Sequence, residues 1–406
     1  MQLRKLIFVT ALSLLAAASP ALAHTTWYVD GINGKDHNDC KSPQNACKTI
    51  GHAIFLASSG DTVKVAPATY TENLTIGISL KVIGAGAMIT IIDGGQNGTV
   101  VTTSNANAHV ALSKVTIRNG FAGAGVSANG GGTYNSGTLA INDSTLSGND
   151  AYHGGGIYNS GTLTINNSTI SENRAGSGCV VHFCPSGGGI YNSGTLTINN
   201  STLNNNHVYV DAGNNQSATG GGIGNYSGTL TINNSTISGN IASATCDYCY
   251  ATASGGGIYQ SGTTVTINNS TISSNSAASH DGSYGGGVSG TATLQNSIVA
   301  NNSSGGNCYG TMTSDGYNLS SDGTCKFSGT GDLNNTDPKL GHLQNNGGAT
   351  QTEALLSGSP AIDAGNPSGC TDGNGHLLKT DQRGKPRPDK EDSGGCDMGA
   401  YERQTD

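Results

Sequence analysis

Between Gly154 and Asn301 the chain returns five times to nearly the same phrase, and this repetition limits the fold more than any other feature. The fullest copy, Gly154–Asn173, reads GGGIYNSGTLTINNSTISEN. Gly187–Asn206, Gly220–Asn240 and Gly255–Asn275 repeat it closely, Gly285–Asn301 is a worn copy, and Gly130–Asn149 is a degenerate earlier one. Self-similarity at a period of roughly 20–50 residues marks an elongated array in which each unit buries its apolar face only against its neighbours. Within one unit, Ile157-Tyr158, then Leu163-Thr164-Ile165, then Ile170 read as three short strands separated by Gly and Asn/Ser turns. Alternation at 163–165 turns one face inward. The expected fold is all-β, a right-handed parallel β-helix with three short strands per coil and about ten coils, on the order of 48 Å long at ~4.8 Å per rung.

Stacking in register predicts three inward ladders. They are Ile157, Ile190, Ile223 and Ile258; Ile165, Ile198, Ile232 and Ile267; and Ile170, Leu203, Ile237 and Ile272. Asn173, Asn206, Asn240 and Asn275 are expected to stack at a turn, where Asn tolerates left-handed backbone and its amide bonds the next copy. These asparagines and the glycine triplets read as scaffold.

Residues 1–23 read as a bacterial-style secretory signal. Arg4 and Lys5 precede the apolar run Leu6–Ala18, and Ala21-Leu22-Ala23 supplies a small-residue cleavage site. That run is too short for a membrane span, and no later stretch is apolar enough for one. Residues 24–61 read as an N-terminal cap, with a helix over Cys47–Ser58 whose Ile50, Ala53, Ile54 and Ala57 form one apolar stripe. Coils occupy 62–335. From 336 to 406 the repeat stops, charge returns and prolines gather, as a C-terminal cap domain would require.

Charged residues are only 11% of the chain, and no basic patch lies outside its two ends, so neither nucleic acid nor an anionic membrane is an expected partner. Ten cysteines in an exported chain read as disulfides. Spacing suggests neighbours: Cys40 with Cys47, Cys179 with Cys184, Cys246 with Cys249, Cys308 with Cys325, and Cys370 with Cys396.

A search for catalytic groups finds few. Between Asn119 and Cys325 the only Lys or Arg is Arg174, and acids stand singly, as at Asp143, Asp150, Glu172, Asp211, Asp247 and Asp281. Neither a Ca²⁺ cluster nor a cation-supported base for cleaving an acidic glycan is visible. Asp211 and Asp247 sit in insertions of successive coils, within reach of the roughly 5–10 Å that separates glycosidase carboxyls, yet no motif surrounds either. No catalytic residue, cofactor or metal ligand is assigned. In the terminal region, Asp363, Asp381, Arg383, Asp397, Glu402 and Arg403 read as an Arg–carboxylate network stapled by Cys370–Cys396.

The richer signal is a ridge. Between each turn Asn and the next Gly triplet lies a loop insertion of variable length: 174–186, 207–219, 241–254 and 276–284. All leave the coil at one point and must line up along the rod. They carry His182, Phe183, His207, Tyr209, Asp211, Asp247, Tyr248, Tyr250, His280, Asp281 and Tyr284. Aromatics displayed on a rigid scaffold suit stacking on sugar rings or docking a protein.

Two stretches resemble known families. WYVDGINGKD and CKTIGHAIFLASSGDTVKVAPATYTENLTI are similar to the opening of pectate-lyase-like right-handed parallel β-helix proteins. DPKLGHLQNNGGATQTEALLSGSPAIDAG, DQRGKPRP and CDMGAYE resemble the choice-of-anchor Q domain of bacterial secreted and surface β-helix proteins. GGGIYN distantly resembles the GGAIYN repeat of polymorphic outer membrane proteins, with ISEN, LNNN, ISGN and ISSN where that family has FxxN. The combined reading is a secreted, extracellular or cell-surface, non-catalytic protein that binds a polysaccharide or a surface protein through the ridge, as in adhesion. The pectate-lyase-like resemblance implies the alternative, a polysaccharide lyase or glycoside hydrolase.

Overall fold

The computed structural model describes residues 24–405, apart from 124, 177–183, 212–215, 247–249, 373 and 390–394. Each repeat closes one turn of a three-walled parallel β-helix. Wall 1 stacks strands such as Ile157–Asn159, Ile190–Asn192, Ile223–Asn225 and Ile258–Gln260. Wall 2 stacks Thr162–Asn166, Thr195–Asn199, Thr229–Asn233 and Val265–Asn268, and the two walls form one 18-stranded sheet. Wall 3, with Thr169–Ser171, Thr202–Asn204, Thr236–Ser238 and Thr271–Ser273, has ten strands, which fixes the coil number near that read from the repeats.

All three apolar ladders form in the expected register. In one coil Ile190, Leu196, Ile198 and Leu203 are buried to 1% exposure or less. Burying each such side chain is worth about 1.5–3 kcal/mol. Threonines take the outward positions of wall 2, where a β-branched residue suits a pleated surface. The glycine triplet has a steric cause: a Cβ on Gly189 would lie 2.7 Å from the Gly222 carbonyl of the next coil, and Gly187 has φ +67°.

The interior also carries amide ladders. Asn173 Nδ2 donates to Asn206 Oδ1 at 3.0 Å, Asn206 to Asn240 at 2.9 Å and Asn240 to Asn275 at 2.9 Å. Left-handed backbone, however, falls on the residue before the stacked asparagine: Glu172 (φ 58°), Asn205 (54°), Gly239 (69°) and Ser274 (57°). The asparagine preference for that conformation is used at the corner between walls 2 and 3, at Asn167, Asn200, Asn234 and Asn269 (φ 48–54°). A second buried ladder, unforeseen in the sequence, runs Asn135–Asn159–Asn192–Asn225 with amide contacts of 2.6–2.7 Å.

A helix, Ile50–Leu56, lies against the first rungs, with Ile50 and Ala53 fully buried. Glu72 holds its first turn by accepting from the amides of Ile50 (2.9 Å) and Gly51 (2.8 Å). At the far end the Cys308–Cys325 disulfide and Phe327, 5% exposed, join the rod core. The chain after Leu333 then runs back along the outside of wall 3. Thr202 Oγ1 donates to Gln351 O, Thr236 Oγ1 to Gln382 Oε1, and Ser238 and Ser273 to the two oxygens of Glu353. Disulfides also join Cys40–Cys47 and Cys370–Cys396. Cys184 and Cys246 are each disulfide-bonded, while Cys179 and Cys249 lie outside the described residues.

Candidate functional site

The ridge insertions, read from the sequence as loops, carry strands among their described residues, which build a fin of two small parallel sheets. Outgoing strands Arg174–Gly176, His207–Asp211, Ile241–Thr245 and Ser276–Ser279 belong to one five-stranded parallel sheet. Returning strands Gln216–Thr219, Ala251–Ser254 and Gly282–Tyr284 form a three-stranded one. Val208, Val210, Ala242 and Ala244 from the first meet Ala218, Ala251 and Ala253 from the second in a small core separate from that of the rod. The middle coils therefore carry five strands, not three.

This arrangement sorts the ridge residues by face. His207, Tyr209 and Asp211 alternate with buried Val208 and Val210, so they line the outside of the outgoing sheet. His207 Nε2 meets Ser243 Oγ at 2.8 Å, and the Arg174 guanidinium stands 5.6 Å from the Tyr209 ring centre. Burial, then the Arg174 charge, pushes the His207 pKa down. Asp211 is exposed at the strand end. His182, Phe183, Asp247 and Tyr248 lie outside the described residues, and with them the Asp211–Asp247 pair.

Tyr250, His280, Asp281 and Tyr284 come together on the returning side. Tyr284 hydrogen-bonds Tyr250 through their hydroxyls, which raises the Tyr284 pKa. Its ring lies 4.7 Å from that of Tyr309 at 48°. Tyr250 is 51% exposed and Tyr309 54%. Asp281 Oδ2 accepts from the Ala251 amide at 2.7 Å and Oδ1 faces His280 Nδ1 at 3.1 Å; the amide bond, then His280, lowers the Asp281 pKa. Tyr309 was missed in the sequence because it belongs to the rod strand Cys308–Ser314, not to an insertion.

A larger aromatic array stands beside the fin. Tyr134, Tyr158, Tyr191, Tyr226 and Tyr259 stack on the outside of wall 1, with centroids 4.9–5.4 Å apart and the first three rings parallel within 4°. Stacked in parallel, Tyr134, Tyr158 and Tyr191 cover one another's faces and turn their edges outward. A sugar stacks on a ring face, so the parallel part of this column is mortar, and the half-exposed Tyr250 and Tyr309 on either side of Tyr284 are the better platform.

His153 packs against this column, edge-on to Tyr152 at 4.7 Å and 5.0 Å from Tyr191, with Nδ1 buried and without a hydrogen-bond partner. Burial lowers its pKa from 6.5 to about 4. Between those values the unfolded chain binds the proton that the folded one refuses, so stability falls as pH drops from 6.5 to 4 and is level above. The loss is about 3 kcal/mol at most, from ~1.4 kcal/mol per pKa unit. Urea unfolding midpoints taken from pH 7 to pH 4 are expected to fall steeply in the parent and less steeply in His153→Phe.

Among the described residues, the one His/Cys/Asp/Glu group close enough to share a metal ion is Cys40, Cys47 and His52. Its two sulfurs are bonded to each other, which leaves no thiolate. In the terminal segment Arg383 bonds Asp381 and lies over the Tyr401 ring at 3.6 Å, while Arg403 N donates to Asp397 at 2.6 Å. Asp363 enters through its amide, which donates to Asp397 at 2.9 Å. Arg387, unnoticed in the sequence, is the fully buried centre, with Nε 2.7 Å from Glu402.

No family model matches the chain, and no curated protein matches it. Among solved structures, a pectin methylesterase from carrot aligns at 12% identity and TM-score 0.34, over 79% of this chain and 91% of its own. A pectin methylesterase mutant in complex with a hexasaccharide aligns at 12% identity and TM-score 0.28, over 71% and 81% respectively.

Proposed function

We propose that the protein is an exported β-helix rod that binds a polysaccharide, without cleaving it, through the tyrosine trio on the returning side of its fin. The observation that carries this reading is that Tyr250 and Tyr309, each about half exposed, flank Tyr284, whose ring lies tilted at 48° to that of Tyr309. Exposed tyrosine rings suit the apolar faces of sugars, and the neighbouring His280–Asp281 pair supplies a donor and an acceptor for hydroxyls. Strands that hold their own core fix the spacing of these rings, which limits the ordering cost of binding.

Titration against soluble xyloglucan, glucomannan and polygalacturonate tests the reading. Tyr284→Ala is expected to weaken binding at least tenfold, about 1.4 kcal/mol, with an unchanged melting temperature. Binding that survives Tyr284→Ala and Tyr309→Ala removes the trio from the role. Release of reducing ends or unsaturated products by the parent protein would instead favour the lyase or hydrolase alternative.

A further inference from the structure

A second site stands at the other end of the rod, where the chain does something the later coils do not. On the outside of wall 2, Tyr28, Lys64 and Ile83 occupy one register column. In later coils the outward positions of this wall hold Thr and Asn, as in Thr162–Asn166 and Thr195–Asn199. The loop closed by Cys40–Cys47 overhangs the column through Pro43 and Ala46, and small side chains at Ala66 and Ala85 leave room beneath. The result is a cavity of about 310 Å³, at the small end of the roughly 300–1,000 Å³ usual for ligand pockets.

We propose that this cavity binds a small monocarboxylic acid with an apolar body. Its lining side chains are apolar apart from Asp30, Lys64 and the Tyr28 hydroxyl. Asp30 is already engaged: Oδ1 accepts from the amides of Ile32 (2.9 Å) and Asn33 (3.1 Å), and Oδ2 from Asn33 Nδ2 (3.1 Å). Lys64 Nζ lies 5.9 Å from the Tyr28 ring centre, and among the described residues no carboxylate pairs with it. One available cation in an apolar slot selects one anionic group on an apolar body. A sugar acid has the anion but brings hydroxyls that these walls leave unpaired, at a cost for each. The fin plays no part, so this site stands or falls independently of polysaccharide binding.

Isothermal titration of the full chain with benzoate, benzyl alcohol and galacturonate tests the proposal. Benzoate is expected to bind, and each of the other two at least tenfold more weakly. Lys64→Gln is expected to weaken benzoate about tenfold, and Ala85→Leu, which fills the slot from an exposed position, to abolish binding while the melting temperature holds. Failure of benzoate to bind, equal affinity for benzyl alcohol, tighter binding of galacturonate, or benzoate binding that survives Ala85→Leu would each overturn it. If Ala85→Leu alters folding, Lys64→Gln decides: unchanged benzoate affinity refutes the site.

Discussion

Arg387→Met is expected to cost about 3–5 kcal/mol and to loosen the terminal segment from the rod, because it leaves a buried carboxylate without its counter-charge. Arg387 and Glu402 are both fully buried, 2.7 Å apart. Arg387 also donates from Nη1 to Asn234 Oδ1 at 3.0 Å and from Nη2 to the Gly399 carbonyl at 2.9 Å, so one side chain ties the segment to the coil beneath it. Glu402, whose carboxyl burial already pushes up, can take a proton when the arginine is gone, which favours the lower end of that range. Hydrogen exchange should show protection lost first over residues 336–405. The double variant Arg387→Met with Glu402→Gln should recover part of the loss. A double variant no more stable than the single one would show that the ion pair is not what holds the segment.

Asn206→Ala should be nearly as damaging, although the residue never meets solvent or ligand. Its Oδ1 accepts from the Asn173 amide at 3.1 Å and from Asn173 Nδ2 at 3.0 Å. Its Nδ2 donates to the Ile170 carbonyl and to Asn240 Oδ1, each at 2.9 Å. Truncation strands groups in the coils on both sides, at roughly 1–3 kcal/mol for each one left unsatisfied. A loss of several kcal/mol is expected in chemical denaturation. Asn199→Ala offers the contrast: that residue also forms an amide ladder, to Asn166 at 2.9 Å and Asn233 at 3.0 Å, but on the half-exposed outer face of wall 2. Water can replace those partners, so its effect should stay near 1 kcal/mol or below. Equal losses for the two variants would contradict the assignment of the inner ladder as the stronger one.

How much of this was legible in the sequence follows from contrast between neighbouring residues. Leu163-Thr164-Ile165 alternates apolar with polar, so its inward face and register could be read directly. Ile241–Thr245, IASAT, sets its buried Ala242 and Ala244 between Ser243, Thr245 and an exposed Ile241 that is more apolar than either alanine, so hydropathy does not mark the inward face. A strand of the fin therefore looks like a loop. The left-handed corners were misplaced by a residue or more because every turn of a repeat carries several asparagines, and composition does not say which one bends. Of the tyrosine trio, Tyr250 and Tyr284 stood out as unrepeated insertion residues. Tyr309 is brought to them only by stacking, since its strand pairs with Val288–Gln295 of the coil before it. Arg387, set between Pro386 and Pro388, carries no local sign that Asn234 waits for it across more than 150 residues of chain.

The fin's private core of alanines and valines has an evolutionary reading. Because those strands lean on one another and not on the isoleucine ladders, substitutions, lengthenings or deletions between a stacked asparagine and the following glycine triplet need not disturb the cylinder. Descendants of such a gene are free to diversify what they display while inheriting unchanged the mast that holds it aloft.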